Sequence, residues 1–439
     1  MDVLAEASRL VTSSKGFYFL FMLLCNERTN RFVVHSIDEE VDEEMQEFWI
    51  SELGTALATK GIKRLVNIQS LVLQQVCTDS MMFIISENCH KLVYLDISYS
   101  VRVTGIGLLG LCGLSKSSGC RYLRDLILKH GNNCDTIVPK VIACLLRYLE
   151  NLEVLDIHNL HEGIEYYYRG QGNGHYHPKP ERIRPLNLIY YTGSEKLLEI
   201  VDVCPKLRTL KLTASEYLPS IGKMLVERNT ILDHITLIWD EDTKYLIGLK
   251  GFLEACGSQI GSLEIDCPST FMRAQDFLTI GRNCHLLENL AISHLKLETE
   301  DELTRQHEVE VLFPFLRSLK IQKIDHEPRV TKEVFKYLLI NSPELEKIFF
   351  SFESPAYFFS DFFLDEILFL NPLGVLREFI VQNCSLTLIS ALKLVSSRPK
   401  LQLMGSVLNW DVEPRELDTF VQILRKAKGM NLLQDILIV

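Results

Sequence analysis

The chain has 439 residues, 47% of them apolar and 23% charged, so it can bury a continuous core and lacks the composition of a disordered polypeptide. Its net charge of −11 argues against nucleic acid as a ligand. The longest uncharged apolar run near the start, Phe17 to Cys25, is shorter than the roughly 20 residues of a membrane span, and acidic Asp2 and Glu6 precede it where a secretory signal needs basic residues. The expectation is a soluble chain of the cytoplasm, with the nucleus also open, that binds neither membrane nor nucleic acid.

Residues 1–64 stand outside any repeat. An acidic run from Asp38 to Glu44 follows the apolar stretch, and Met45 to Ala58 reads as an amphipathic helix. This segment is expected to cap the first repeat or to dock an adaptor.

From residue 65 to 439 one pattern recurs. In Cys89-x2-Leu92-x2-Leu95-x-Ile97 the last apolar residues alternate as in a short strand, and Ile106, Leu109 and Leu111 then open a helical stripe. Taking Leu95 as the marker, equivalents fall at Leu71, Leu126, Leu155, Leu186, Leu210, Ile235, Leu263, Leu290, Leu319, Ile348, Phe379, Met404 and Ile436. They recur every 24 to 32 residues, which fits about fourteen strand-plus-helix units of the longer leucine-rich-repeat class. The expected fold is therefore an α/β leucine-rich-repeat solenoid, a horseshoe with a parallel sheet inside, helices outside and no separate second domain. Helices are predicted over Asp135 to Leu149, Ser194 to Val203, Glu216 to Arg228, Lys332 to Ile340 and Glu416 to Lys426. Pro205, Pro343 and Pro399 stand where helices must stop.

Cys89, Cys120, Cys204 and Cys284 share one place, three residues before the first leucine of a strand. Small buried thiols at the turn from helix to strand explain this better than disulfides or zinc, since no C-x2-C pair exists. The unit after Leu155 departs from the pattern: residues 158–182 are rich in Gly, Pro, Tyr and His and read as a loop. Tyr166, Tyr167 and Tyr168 are candidate partner contacts there, and His158, His161, His175 and His177 lack the Cys or carboxylate spacing of a metal site. Gly105, Gly107 and Gly110 match a dinucleotide fingerprint, but the turn comes too late after the strand. No catalytic residue, metal ligand or cofactor motif is expected, and the chain reads as a non-enzyme.

The run N-C-H-K-L-V-Y-L-D-I-S followed by V-T-G-I-G-L-L-G-L resembles the cysteine-containing leucine-rich repeat of F-box proteins and their relatives, with Val103-Thr104, Gly107-Leu108 and Leu111 where that pattern wants them. The resemblance implies a right-handed solenoid whose concave sheet holds a protein substrate for a cullin-RING ubiquitin ligase of the SCF type. It implies in turn a Skp or elongin adaptor and a cullin reached through the N-terminal segment. Residues 1–64 show no Leu-Pro start and no Cys-x2-Trp end of an F-box, Trp49 lying in a Glu-Phe-Trp context. Phe21-x3-Cys25 is similar to the Leu-x3-Cys docking helix of elongin-bound receptors, with Phe in place of Leu. A non-catalytic scaffold or inhibitor of the ribonuclease-inhibitor type is the alternative.

Strand alternation places the residues beside each buried position on the concave face. Those singled out for partner binding are Tyr94, Asp96, Asp125, Ile127, Lys129, Asp156, His158, Ile238, Glu264, Asp266 and Phe349. Aromatic and apolar residues at such places are typical interface anchors.

Overall fold

The structure, a computed structural model, describes residues 25–34, 59–113, 119–129, 137–169, 185–193, 196–240, 243–298, 312–325, 328–405 and 407–412, with Arg415, Glu416, Thr419, Gln422 and residues 437–438. The chain divides into two compact units, Met1–Leu207 and Arg208–Val439. Both are α/β with parallel strand pairing among the described residues. The predicted helix at 45–58 and most of the one at 416–426 lie outside the described residues, as do His175, His177, Phe21 and Trp49.

The first unit runs β1 (Arg31–Val34), β2 (Ser70–Leu73), α1 (Asp79–Asn88), β3 (Tyr94–Asp96), α2 (Gly105–Leu111), β4 (Asp125–Ile127), α3 (Pro139–Tyr148), β5 (Val154–Asp156), α4 (Leu160–Arg169), β6 (Tyr190–Thr192) and α5 (Leu197–Val203). Strands β1 to β5 pair in chain order. Leu71, Leu95, Leu126 and Leu155 lie in register and are fully buried, so the marker leucines are the spine of the core. Strand β1 lies inside the segment read as outside the repeat, and pairs Phe32 with Leu71. Four residues of R-F-V-V carry too little pattern to announce it.

The cysteines occupy the place expected of them, and the geometry gives the reason. Cys89 N–H still bonds Ile85 O (2.8 Å) as the last helical donor, and Leu92 N–H then bonds Cys89 O (3.1 Å), which turns the chain into the strand. Cys204 and Cys284 repeat both bonds at the ends of their helices. The side chain at this corner points inward, and Cys89, Cys120, Cys204 and Cys284 are at most 1% exposed, with free thiols. Burial pushes the Cys89, Cys204 and Cys284 thiols up to about 12.

Helix α3 follows its sequence pattern. Val141, Ile142, Leu145 and Leu146 are buried, Pro139 opens the first turn, and Leu149 caps the end. Helix α2 explains the glycines: a Cβ at Gly107 would overlap the Asp79 carboxylate, and one at Gly110 would meet the Phe83 ring at 2.9 Å. Close approach of α1 and α2, not phosphate binding, requires them.

Two sequence readings are corrected in this unit. Residues 160–169, read as loop, form helix α4. Leu160, Ile164 and Tyr167 are its buried stripe, and Gly163 lets the helix lie against Ile142 of α3. The period was there, but tyrosine supplied one of its apolar positions. The next strand is centred on Tyr191, 1% exposed, and not on Leu186. Ile189 N–H bonds Glu153 O (2.8 Å), as Glu153 N–H bonds Arg124 O, which fixes Tyr191 in the marker position.

The second unit runs β7 (Thr209–Thr213), α6 (Leu218–Glu227), β8 (His234–Ile238), α7 (Leu249–Cys256), β9 (Ser262–Asp266), β10 (Phe271–Met272), α8 (Ala274–Asn283), β11 (Asn289–Ser293), β12 (Lys296–Leu297), β13 (Ser318–Ile324), α9 (Pro328–Ile340), β14 (Lys347–Ser360), α10 (Asp361–Leu370), β15 (Glu378–Ser385), α11 (Leu388–Ser397), β16 (Leu403–Gly405) and β17 (Leu437–Ile438). Strands β7, β8, β9, β11, β13, β14, β15, β16 and β17 are neighbours in that order, while β10 and β12 form a separate parallel pair. Strand β14 is long because Ala356 and Ser360 pair again with β15 beyond a register shift. Its phenylalanines Phe350, Phe352, Phe358 and Phe359 pack with one another and with Phe335 and Phe363, edge to face or tilted, at centroid distances of 4.6–6.3 Å.

One device occurs in both units. Asp79, first residue of α1, accepts from Thr104 N (2.7 Å) and Thr104 Oγ1 (2.7 Å), Thr104 being the N-cap of α2. Asp361, first residue of α10, accepts from Thr387 N (2.9 Å) and Oγ1 (2.5 Å) and from Ser390 Oγ (2.6 Å), Thr387 capping α11. Each carboxylate thus ties one helix start to the next, and lies at a helix N-terminus where a negative charge is favoured.

Candidate functional site

In each unit, alternation leaves one side of every strand out of the core. In the first unit two rows result, Ser70–Tyr94–Asp125–Val154 and Val72–Asp96–Ile127–Asp156, each in register across β2 to β5. Tyr94, Asp125, Ile127 and Asp156 are partly exposed, while Lys129 and His158 stand exposed just beyond their strands. Burial raises the Tyr94 hydroxyl pKa, and so do the neighbouring Asp96 and Asp125 charges, against a smaller opposite effect of Arg31. Burial also raises Asp125. The row is therefore a crowded, acidic, half-desolvated surface with an aromatic ring in it.

Asp96 differs from its expected role. It is 7% exposed, and its carboxylate accepts from Gln74 Nε2 (2.8 Å), Ser98 N (2.9 Å) and Ser98 Oγ (2.6 Å). Those bonds hold the turn after β3, so Asp96 serves the fold. The tyrosines also divide: Tyr166 is exposed, Tyr167 is buried at 4%, and Tyr168 is partly covered, its hydroxyl having no hydrogen-bond partner among the described residues. Burial raises the Tyr168 pKa. Tyr167 belongs to the core of α4, and the three do not form one contact surface.

The second unit presents the row Lys211–Thr236–Glu264–Ala291–Lys320–Phe349–Ile380–Gly405 across β7 to β16. One end is a polar network. His234 Nδ1 is hydrogen-bonded to Ser262 Oγ (2.7 Å), its Nε2 lies 3.1 Å from Thr236 Oγ1, and Thr236 Oγ1 donates to Glu264 Oε2 (3.1 Å). The His234 ring, its Nε2 3.7 Å from Glu264 Oε2, and the Thr236 bond outweigh burial and lower the Glu264 pKa. Beside it Asp266, in register with Ile238, bonds His294 Nδ1 (2.8 Å), and Lys323 Nζ lies 3.0 Å from His294 Nε2. The other end is apolar. Phe349 and Ile380 are half-buried, and the Lys320 ammonium stands 5.8 Å from the Phe349 ring centre.

Among the described residues no group of three His, Cys, Asp or Glu is placed to hold a metal ion, and no described helix is long and apolar enough to cross a membrane.

No protein-family model matches the chain, and no curated protein matches it. Among solved structures, the crystal structure of the Rad7 and Elc1 complex in yeast is similar, at 11% identity over 95% of this chain and 98% of that chain, with a TM-score of 0.33. A likeness at that score carries no argument about this chain.

Sequence reasoning missed His234, Thr236, His294, Lys320 and Ile380. All but His294 sit beside a marker residue on a strand, so the alternation that found Glu264 and Phe349 could have found them. It also missed an ion-pair ladder. In four pairs of neighbouring strands the residues two before the marker carry opposite charges. Arg124 pairs with Glu153, Arg208 with Asp233 (3.0 Å), Arg317 with Glu288 (3.7 Å) and Arg377 with Glu346 (3.1 Å).

Proposed function

We propose that the chain is a non-catalytic leucine-rich-repeat solenoid that holds a protein partner on the concave face of its sheet, as the substrate-recognition subunit of a cullin-RING ubiquitin ligase. The observation that carries the binding part is the second unit's row from Glu264 to Ile380. It carries a preorganised polar network and, across two intervening strands of the same registered row, a half-buried phenylalanine and isoleucine. Rigid polar groups next to desolvated aromatic anchors are what a specific protein interface needs. The ligase part rests on the resemblance of residues 87–111 to the F-box type of repeat. Of the candidate docking motif only Cys25 is described, and it is buried.

Affinity purification of the full chain followed by mass spectrometry tests this. Recovery of a Skp or elongin adaptor together with a cullin is expected. Recovery of a protein partner without either would favour the scaffold reading, and Phe349→Ala should then still reduce that partner.

A further inference from the structure

Two histidines on the second unit's sheet face are wired differently. His294 follows β11 and Lys323 falls near the end of β13, just past the registered pair Ser293 and Gln322, both with left-handed backbone (φ 60° and 50°). His294 Nδ1 is 2.8 Å from Asp266 Oδ1, and its Nε2 is 3.0 Å from Lys323 Nζ. An ammonium has only protons to give, so Nε2 must accept. The one ring proton therefore sits on Nδ1 and is donated to the Asp266 carboxylate. His294 is neutral in this arrangement and holds Lys323 through a lone pair. In the other network Thr236 Oγ1 gives its proton to Glu264, so it accepts from His234 Nε2, and His234 Nδ1 accepts from the Ser262 hydroxyl. A second proton on His234 meets a hydroxyl that can turn round, with Glu264 Oε2 3.7 Å from the ring. A second proton on His294 has to sit on Nε2, facing an ammonium 3.0 Å away.

We propose that Asp266, His294 and Lys323 form a proton-operated switch in the sheet face. Protonation of His294 breaks its bond with Lys323, leaves the imidazolium paired with Asp266, and frees the Lys323 ammonium toward whatever lies on the face. The inference rests on the reading of the sheet as a binding surface, which it equips with two charge states. The three groups together pass from no net charge to one positive charge, and the proton comes from water. Imidazole is the side chain suited to this, since its charge changes between about pH 5 and 8. The other ionisable groups near the ring are Cys267, Asp276 of α8, Lys296 of β12 and Asp325, whose backbone bridges Lys296. The Cys267 thiol, 3.6 Å from His294 O, is pushed up to about 12 by burial and stays neutral. Asp266 and Lys323 are the groups that meet the two ring nitrogens.

Histidine C2–H exchange in the full chain, read by mass spectrometry from about pH 5 to 9, follows each imidazole separately. Lys323→Met should move the His294 midpoint up by about half a pH unit, the scale of an exposed charged contact, and leave that of His234 where it was. By linkage the same coupling must appear on the lysine. Acylation of Lys323 relative to Lys320, exposed on the same strand and with no histidine partner among the described residues, should rise about threefold as His294 charges. In His294→Gln, which cannot take up a proton, that ratio should not change with pH. Circular dichroism matched to wild type establishes that the variants are folded. A His294 midpoint that Lys323→Met leaves unmoved or lowers overturns the proposal, and so does a Lys323 to Lys320 ratio that ignores pH in the wild-type chain. Neither readout involves a partner, so such a failure leaves the sheet face as a binding surface, whereas a chain that recruits nothing through Phe349 fails that reading and not the switch.

Discussion

The Asp361 tie between α10 and α11 yields the sharpest stability prediction. Asp361→Ala removes the acceptor of three hydrogen bonds, from Thr387 N, Thr387 Oγ1 and Ser390 Oγ. A hydrogen bond to a charged group contributes about 1.5–3 kcal/mol. Asp361 is only partly buried, so solvent takes up part of the lost bonding, and the expected total is about 2–3 kcal/mol rather than the sum of three. Burial alone would raise the Asp361 pKa, but the bonds from Ser390 and Thr387 outweigh it and hold the carboxyl below its ordinary value. A carboxyl depressed in the folded state binds fewer protons there than in the unfolded chain. Its contribution is therefore present above the unfolded pKa of about 4 and is lost as pH falls through the lower folded value. Hydrogen exchange of the α10 and α11 amides reads this locally, which suits a chain of two units better than a global midpoint. Exchange in α11 should accelerate in Asp361→Ala at neutral pH, the gap to wild type should narrow below pH about 4, and Ser390→Ala, whose hydroxyl bonds Asp361, should add little more once Asp361 is gone. Additive effects of the two changes, or a gap that does not narrow in acid, would refute the reasoning.

Other consequences are open to test. Cys89 and Cys284 should resist a bulky thiol reagent in the native state, since both are buried and pushed up to about 12; Cys284→Ser should cost about 1–3 kcal/mol in urea unfolding, the penalty of a poorly satisfied buried hydroxyl. Gly163→Ala should destabilise by roughly 1–3 kcal/mol despite better helix propensity, because its methyl would overlap Ile142 Cγ2, and it should cost less in an Ile142→Ala background, where that methyl is absent. Arg377→Ala should change unfolding by less than about 1 kcal/mol because the pair with Glu346 is exposed, and exchanging the two charges should be near neutral.

Much of the fold was legible because the core-facing strand positions are filled almost throughout by aliphatic side chains. The markers Leu95, Leu126 and Leu263 announce β3, β4 and β9, and the three-and-four spacing from Val141 to Leu146 announces α3. Misreadings arose where a core position was filled by an ambiguous residue. Tyr167 in α4 and Tyr191 in β6 are amphipathic, and either can be read as surface. The extra pair of β10 and β12 has two residues in each strand, too few for a period. At the candidate face, alternation told which side a residue faces but not what it bonds. Asp96 and Glu264 hold equivalent places, yet one is buried under Gln74 and Ser98 while the other lies open beside His234 and Thr236. Part of that difference is made by side chains from neighbouring units, Gln74 being 22 residues from Asp96 and Thr236 28 residues from Glu264.

The account stands or falls on the sheet face as the place where a protein partner binds. Photo-crosslinking in cells decides this, with a benzophenone amino acid at Phe349, and at Lys223 on the exposed side of α6 as reference. Adducts with one protein from Phe349, lost on adding Ile380→Asp, and none from Lys223 are the predicted result. Adducts from Lys223 alone would contradict it and move the binding surface to the helices.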